Sequence, residues 1–78
     1  MTTDDRRLVA EAVATQLGRA GRSRRWLSEH AGIGYSTLRR RMQARSDFTV
    51  TELAAIALAL DLSPAVLVPS PRGAGADS

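Results

Sequence analysis

Eight consecutive residues, Leu53-Ala-Ala-Ile-Ala-Leu-Ala-Leu60, carry no polar side chain. Leucine and alanine are strong helix formers, so the run reads as a helix. A helix that is apolar on every side belongs inside a protein, and this one is expected to be the central core helix. Its start is marked too. Thr49 and Glu52 have the spacing of a capping box, in which each side chain satisfies an open backbone N–H. Phe48 and Leu53 sit where a hydrophobic staple would. The chain has 78 residues and no cysteine, so one domain must form around this helix without disulfides.

The other segments are helical as well, and no strand is read. Leu8, Val9, Ala12, Val13 and Leu17 share one helical face. Thr3 followed by Asp4 and Asp5 suits a helix start, because acids favour the N-terminal end of the dipole. Gly18 and Gly21 are expected to stop this first helix. Ser23 is a good N-cap for a second, which turns Leu27 and Ala31 inward and ends at Gly32. After Gly32-Ile33-Gly34 a third helix runs roughly from Tyr35 to Ala44, with Leu38 and Met42 at i and i+4 on its inner face. Ser63-Pro64 opens a short fifth helix with Ala65, Val66 and Leu67. Residues 1–68 form one compact all-α domain of five helices, and 69–78 read as a disordered tail.

Composition narrows the function classes. A hydrophobic fraction of 44% is normal for a globular domain. No apolar run approaches the roughly 20 residues that span a bilayer, and the N-terminus lacks the pattern of a signal peptide. A soluble, cytoplasmic protein is expected. His30 is the only histidine, and no paired carboxylates accompany it. No ligand cluster suggests zinc, and Gly73 and Gly75 belong to the tail rather than to a phosphate-cradling loop. Neither catalysis nor a metal, a cofactor or a small-molecule substrate is expected.

Charge is informative once it is localised. Between Arg19 and Arg45 lie eight arginines and one acid, Glu29, a net +7. The rest of the chain holds three arginines and seven acids, a net −4. Clustered arginine of this kind is the footprint of a polyanion binder. The alternative is an ordinary solvated face in a lysine-free chain.

That basic segment follows the plan of a helix-turn-helix, with a short glycine turn between two helices. Ser28 is small where the helices cross. Gly32 tolerates the positive φ a turn needs, and Ile33 and Leu38 are spaced to bury beneath it. The stretch Ser23-Arg-Arg-Trp-Leu-Ser-Glu-His-Ala-Gly-Ile-Gly-Tyr-Ser-Thr-Leu-Arg-Arg-Arg-Met42 resembles the motif of the lambda-repressor/Cro-like (XRE) helix-turn-helix family. Phe48-Thr-Val-Thr-Glu-Leu53 and Leu60-Asp-Leu-Ser-Pro64 resemble that family's fourth and fifth helices. The resemblance covers roughly Asp4 to Val68.

It implies a sequence-specific DNA-binding transcriptional regulator, similar to phage Cro-like proteins, short bacterial repressors and antitoxin components. The third helix would lie in the major groove of a double-stranded operator, with its N-terminal residues at base edges. Carried over by position, the base-reading candidates are Tyr35, Ser36, Arg39 and Arg40. The helical period agrees, because an inward Leu38 and Met42 turn 35, 36, 39, 40 and 43 outward. Arginine pairs bidentately with guanine. The family places a phosphate contact at the position of Arg24. Arg24 and Arg25 also occupy a first turn where the dipole disfavours cations, a conflict that a phosphate resolves. Arg45 and Ser46 are further phosphate candidates.

Three positions depart from the family pattern. Gly34 replaces the usual Ser or Thr cap of the third helix. Arg41 stands where an aliphatic residue is common, and is a phosphate candidate if it snorkels outward. Trp26 stands where a polar residue is common, and is expected to cover the first helix. A homodimer on a two-fold operator is expected, with Val66, Leu67 and Val68 as candidate contacts. The rival class is a docking module, in which the same fold meets an acidic protein partner.

Overall fold

The computed structural model describes residues 3–68, with Thr3 described by its backbone alone, and the expected tail at 69–78 lies outside them. The order is α1 (Thr3–Ala20), α2 (Arg24–Ala31), α3 (Tyr35–Met42), α4 (Val50–Ala59) and a 3-10 turn (Pro64–Leu67). No strand occurs among the described residues, so the fold is all-α. The fifth element is a 3-10 turn of four residues rather than a fifth α-helix. Ser63 does cap it, its Oγ accepting from the Ala65 N–H at 3.4 Å. None of the described helices is long and apolar enough to cross a membrane.

The helix starts match the caps in the sequence. Ser23 Oγ accepts from the Trp26 N–H at 3.0 Å. Thr49 Oγ1 accepts from the Glu52 N–H at 3.0 Å while Glu52 Oε1 accepts from the Thr49 N–H at 2.9 Å, so both halves of the capping box form. Gly34, by contrast, gives α3 no side-chain cap.

The ends follow one rule. Each α-helix stops at a left-handed residue: Gly21 (φ 68°), Gly32 (71°), Ala44 (61°) and Asp61 (60°). Paired backbone bonds close three of these ends in the Schellman manner. They run from Arg22 to Leu17 and Gly21 to Gly18, from Arg45 to Arg40 and Ala44 to Arg41, and from Leu62 to Ala57 and Asp61 to Leu58. α1 therefore passes through Gly18, and only Gly21 stops it. α3 ends two residues before the expected Ala44, although alanine is the best helix former.

The core joins Val9, Val13 and Leu17 of α1 to Leu27, Ile33, Leu38, Phe48, Leu53, Ile56, Ala57 and Leu67. Ala12 and Ala31 pack at its edge, whereas Leu8 stands half-exposed. α2 packs on α3 and α4, α1 packs on α3, and the 3-10 turn packs on α4 and α1. α4 is not a fully surrounded helix. Leu53, Ile56 and Ala57 are buried, but Val50 and Leu58 are 84% and 82% exposed. So short a chain has too few elements to cover all sides of one helix.

Candidate nucleic-acid interface

The outer faces of α2 and α3 follow from what their inner faces bury. Leu27 and Leu38 are fully buried and Met42 packs at the core edge. That rotation leaves Ser36, Arg39 and Arg40 exposed on α3, and Arg24 and Arg25 exposed at the start of α2. Neither helix has an acid in its first turn.

A stack joins the two helix starts. The Arg25 guanidinium lies 4.7 Å from the centroid of the half-buried Tyr35 ring, a cation–π geometry. The expected phosphate-binding residues of α2 and the expected base-reading residues of α3 therefore meet at their first turns. The turn between them is held from below. Ile33 N–H donates to the Ser28 carbonyl at 3.1 Å, and Ser28 Oγ donates to the Ile33 carbonyl at 2.6 Å. Ser28 is thus more than a small residue at a crossing.

A second stack runs along α2. Arg22 lies 4.8 Å from the Trp26 ring centroid, and Trp26 stacks on His30 at 4.2 Å with the planes 21° apart. His30 Nδ1 lies 2.9 Å from the Trp26 carbonyl, the geometry of an N–H donating to it. Trp26 also packs at the edge of the core. Arg22 and Arg24 border an open groove of about 520 Å³ that Ala14, Leu17, Gly18, Ser23 and Met42 also line.

Arg41 and Ser46 stand apart from the other predicted contacts. Arg41 Nε donates to Glu52 Oε1 at 2.7 Å, Nη2 to Glu52 Oε2 at 3.1 Å, and Nη1 to Ser46 Oγ at 2.8 Å. The expected phosphate contacts at 41 and 46 are therefore turned to each other and to the start of α4. Both members of the ion pair are largely covered, at 20% and 17% side-chain exposure. Glu52 already had a partner at capping distance, Thr49, which hid its second role. An arginine at an expected aliphatic position was the available signal.

A second acid, in the loop before α4, is also engaged. Arg6 Nε donates to Asp47 Oδ1 at 2.7 Å, tying α1 to the loop before α4. This bond, helped by the Arg6 charge and opposed by slight burial, holds the Asp47 carboxyl below its ordinary range. Burial pushes Glu52 up, but hydrogen bonds from Arg41 and from the Thr49 N–H outweigh it, and the carboxyl is lowered overall. Both acids are thus matched to Arg6 and Arg41. Arg24, Arg39, Arg40 and Arg45 make no ion pair among the described residues. The surface of α2 and α3 is left with a cationic excess.

Comparison with protein families, with characterised proteins and with solved structures finds no match to this chain.

Proposed function

We propose that the chain is a sequence-specific double-stranded-DNA-binding transcriptional regulator of the lambda-repressor/Cro-like kind. α2, the Gly32–Gly34 turn and α3 act as its helix-turn-helix, and it works in the cytoplasm on the nucleoid. α3 enters the major groove, where Arg39 and Arg40 read base edges together with Tyr35 and Ser36. Arg24, Arg25 and Arg45 hold the flanking phosphates. Arg41 and Ser46 fix the loop behind α3 instead of touching DNA.

The observation that carries this reading is the Arg25–Tyr35 stack between two exposed helix starts that contain no acid. A helix start concentrates positive potential, and adding arginines there costs stability unless an anion is bound. DNA supplies a regular row of such anions.

Selection of sites from random duplexes, followed by titration at several salt concentrations, tests the proposal. A recovered consensus and an affinity that falls linearly in log[salt] are expected. Absence of DNA affinity at moderate salt overturns it, and favours a docking module or antitoxin-type component that meets an acidic protein.

A further inference from the structure

Gly18 lies in the last turn of α1, although glycine is a poor helix former. Its backbone does not call for glycine, since the glycines with positive φ are Gly21 and Gly32. Packing does not call for it either. A Cβ placed there would meet nothing beyond its own helix backbone within 4 Å. What a side chain at 18 would enter is the open groove of about 520 Å³ between the end of α1, the start of α2 and Met42. Gly18 keeps that groove clear at a cost in helix propensity.

The groove has walls of two kinds. Ala14, Leu17 and Met42 join Gly18 in an apolar wall, Arg22, Ser23 and Arg24 make a polar one, and no acid lines either. Arg22 is held in place, its guanidinium 4.8 Å from the Trp26 ring centroid. Stacking of this kind fixes the plane of the guanidinium and leaves its N–H edge for an acceptor. Ser23 Oγ accepts from the Trp26 N–H, so its own O–H is left to donate. Neither Arg22 nor Arg24 has an ion pair among the described residues. We infer that the groove is a binding site for a small carboxylate with an apolar body, its head on Arg22 and Arg24 and its body against Leu17, Gly18 and Met42.

The two walls together select this chemistry. The fork of an arginine matches a carboxylate bidentately. A neutral apolar molecule leaves both guanidinium groups without a partner, and a bare anion leaves the apolar wall wet. The volume suits a small molecule, whose sites measure roughly 300–1,000 Å³. One side of the groove faces water, so binding is weak, with Kd roughly 0.1–1 mM. Arg24 also holds a phosphate in the proposed function, and on that reading the carboxylate and DNA compete for one side chain. The site itself stands without DNA; only this regulatory consequence rests on the proposed function.

Octanoate is the probe, and Trp26, the only tryptophan, reports on Arg22. Octanoate is expected to change Trp26 emission saturably and to shift the Gly18 and Arg24 amide signals in NMR. Octanol, octylamine and inorganic phosphate should each bind about tenfold more weakly or worse. Gly18→Leu should fill the groove and weaken octanoate about tenfold, with the melting temperature unchanged or raised. By the amide shifts, Arg22→Gln and Arg24→Gln should each weaken it about fivefold. Arg7→Gln, an exposed change near the other end of α1, should not. Equal affinity for octanol or for inorganic phosphate overturns the inference, as does full octanoate binding by Gly18→Leu. If octanoate binds while random-site selection fails, the groove stands and the DNA reading falls. If DNA is bound and octanoate is not, the inference falls and the DNA reading stands. Where both bind, saturating octanoate should weaken the selected duplex for the parent protein and not for Gly18→Leu, and an equal effect on both overturns the competition.

Discussion

At the scale of single residues, the arginines divide by what they touch. Phosphate contacts position a protein on DNA, and base contacts specify the sequence. Arg24→Ala should weaken specific and non-specific DNA alike and lower the salt slope by about one. Arg40→Ala should cost roughly 1–3 kcal/mol on the selected site and relax preference at one base pair. Both side chains are exposed, so neither change should lower the melting temperature, and removing Arg24 from a helix start should raise it slightly. Leu38→Ala, at a fully buried position, should instead lose about 2–5 kcal/mol of stability. Affinities for selected and scrambled duplexes at several salt concentrations check all three. Equal losses on both duplexes for Arg40→Ala would move that residue to the phosphate class. The outward direction of Arg39 and Arg40 was legible because Leu38 and Met42 repeat at a helical interval. The inward turn of Arg41 was not, since its partner lies eleven residues away and no local pattern links them.

Elements show the same split between local and distant causes. Helix starts were legible at Ser23, Thr49 and Ser63, because a cap is a contact within three residues. The end of α3 was not. Ala44 adopts φ 61°, a conformation that costs an alanine roughly 1–2 kcal/mol and a glycine almost nothing. What stops the helix there lies beyond it: Arg41 holds Ser46, and Phe48 must turn back into the core. Ala44→Gly relieves the strain while keeping both closing bonds, against a small gain in unfolded-chain entropy. A stabilisation of about 1 kcal/mol is expected, and for a domain this small that raises Tm by about 4–8 °C. A melting temperature at or below that of the parent would mean that the backbone at Ala44 is not strained.

For the whole molecule, acid should be the sensitive axis. Arg6–Asp47 and Arg41–Glu52 join distant elements, and both carboxyls lie below their ordinary values of 3.8 and 4.5. The unfolded chain therefore takes up these two protons at higher pH than the folded one. Their stabilisation is complete above the ordinary values and is lost as pH falls through the lowered folded values. Urea melts between pH 7 and 3 should show stability falling on acidification below about pH 5. Asp47→Asn with Glu52→Gln should start lower at pH 7 and fall less steeply, because neither amide titrates, while glutamine preserves the capping pattern. An equally steep fall in the double variant would assign the acid sensitivity elsewhere. The all-α class was legible from periodicity and glycine punctuation. The place of α4 was not, because an apolar sequence cannot say how many neighbours remain to cover it.

Glu52 holds the backbone of its own helix start with one oxygen and the end of α3 with both. The two helices consequently share a fastening, and neither can fray at that junction while the other stays closed. In hydrogen exchange the amides of Gln43 and Arg45 should open together with those of Glu52 and Leu53, at one common free energy. The first turn of α2, held by the Ser23 cap and the Arg25–Tyr35 stack but by no ion pair, should open independently and sooner. The rigid part of the molecule then lies behind α3, and the compliant part beside it, where a ligand's backbone would be gripped.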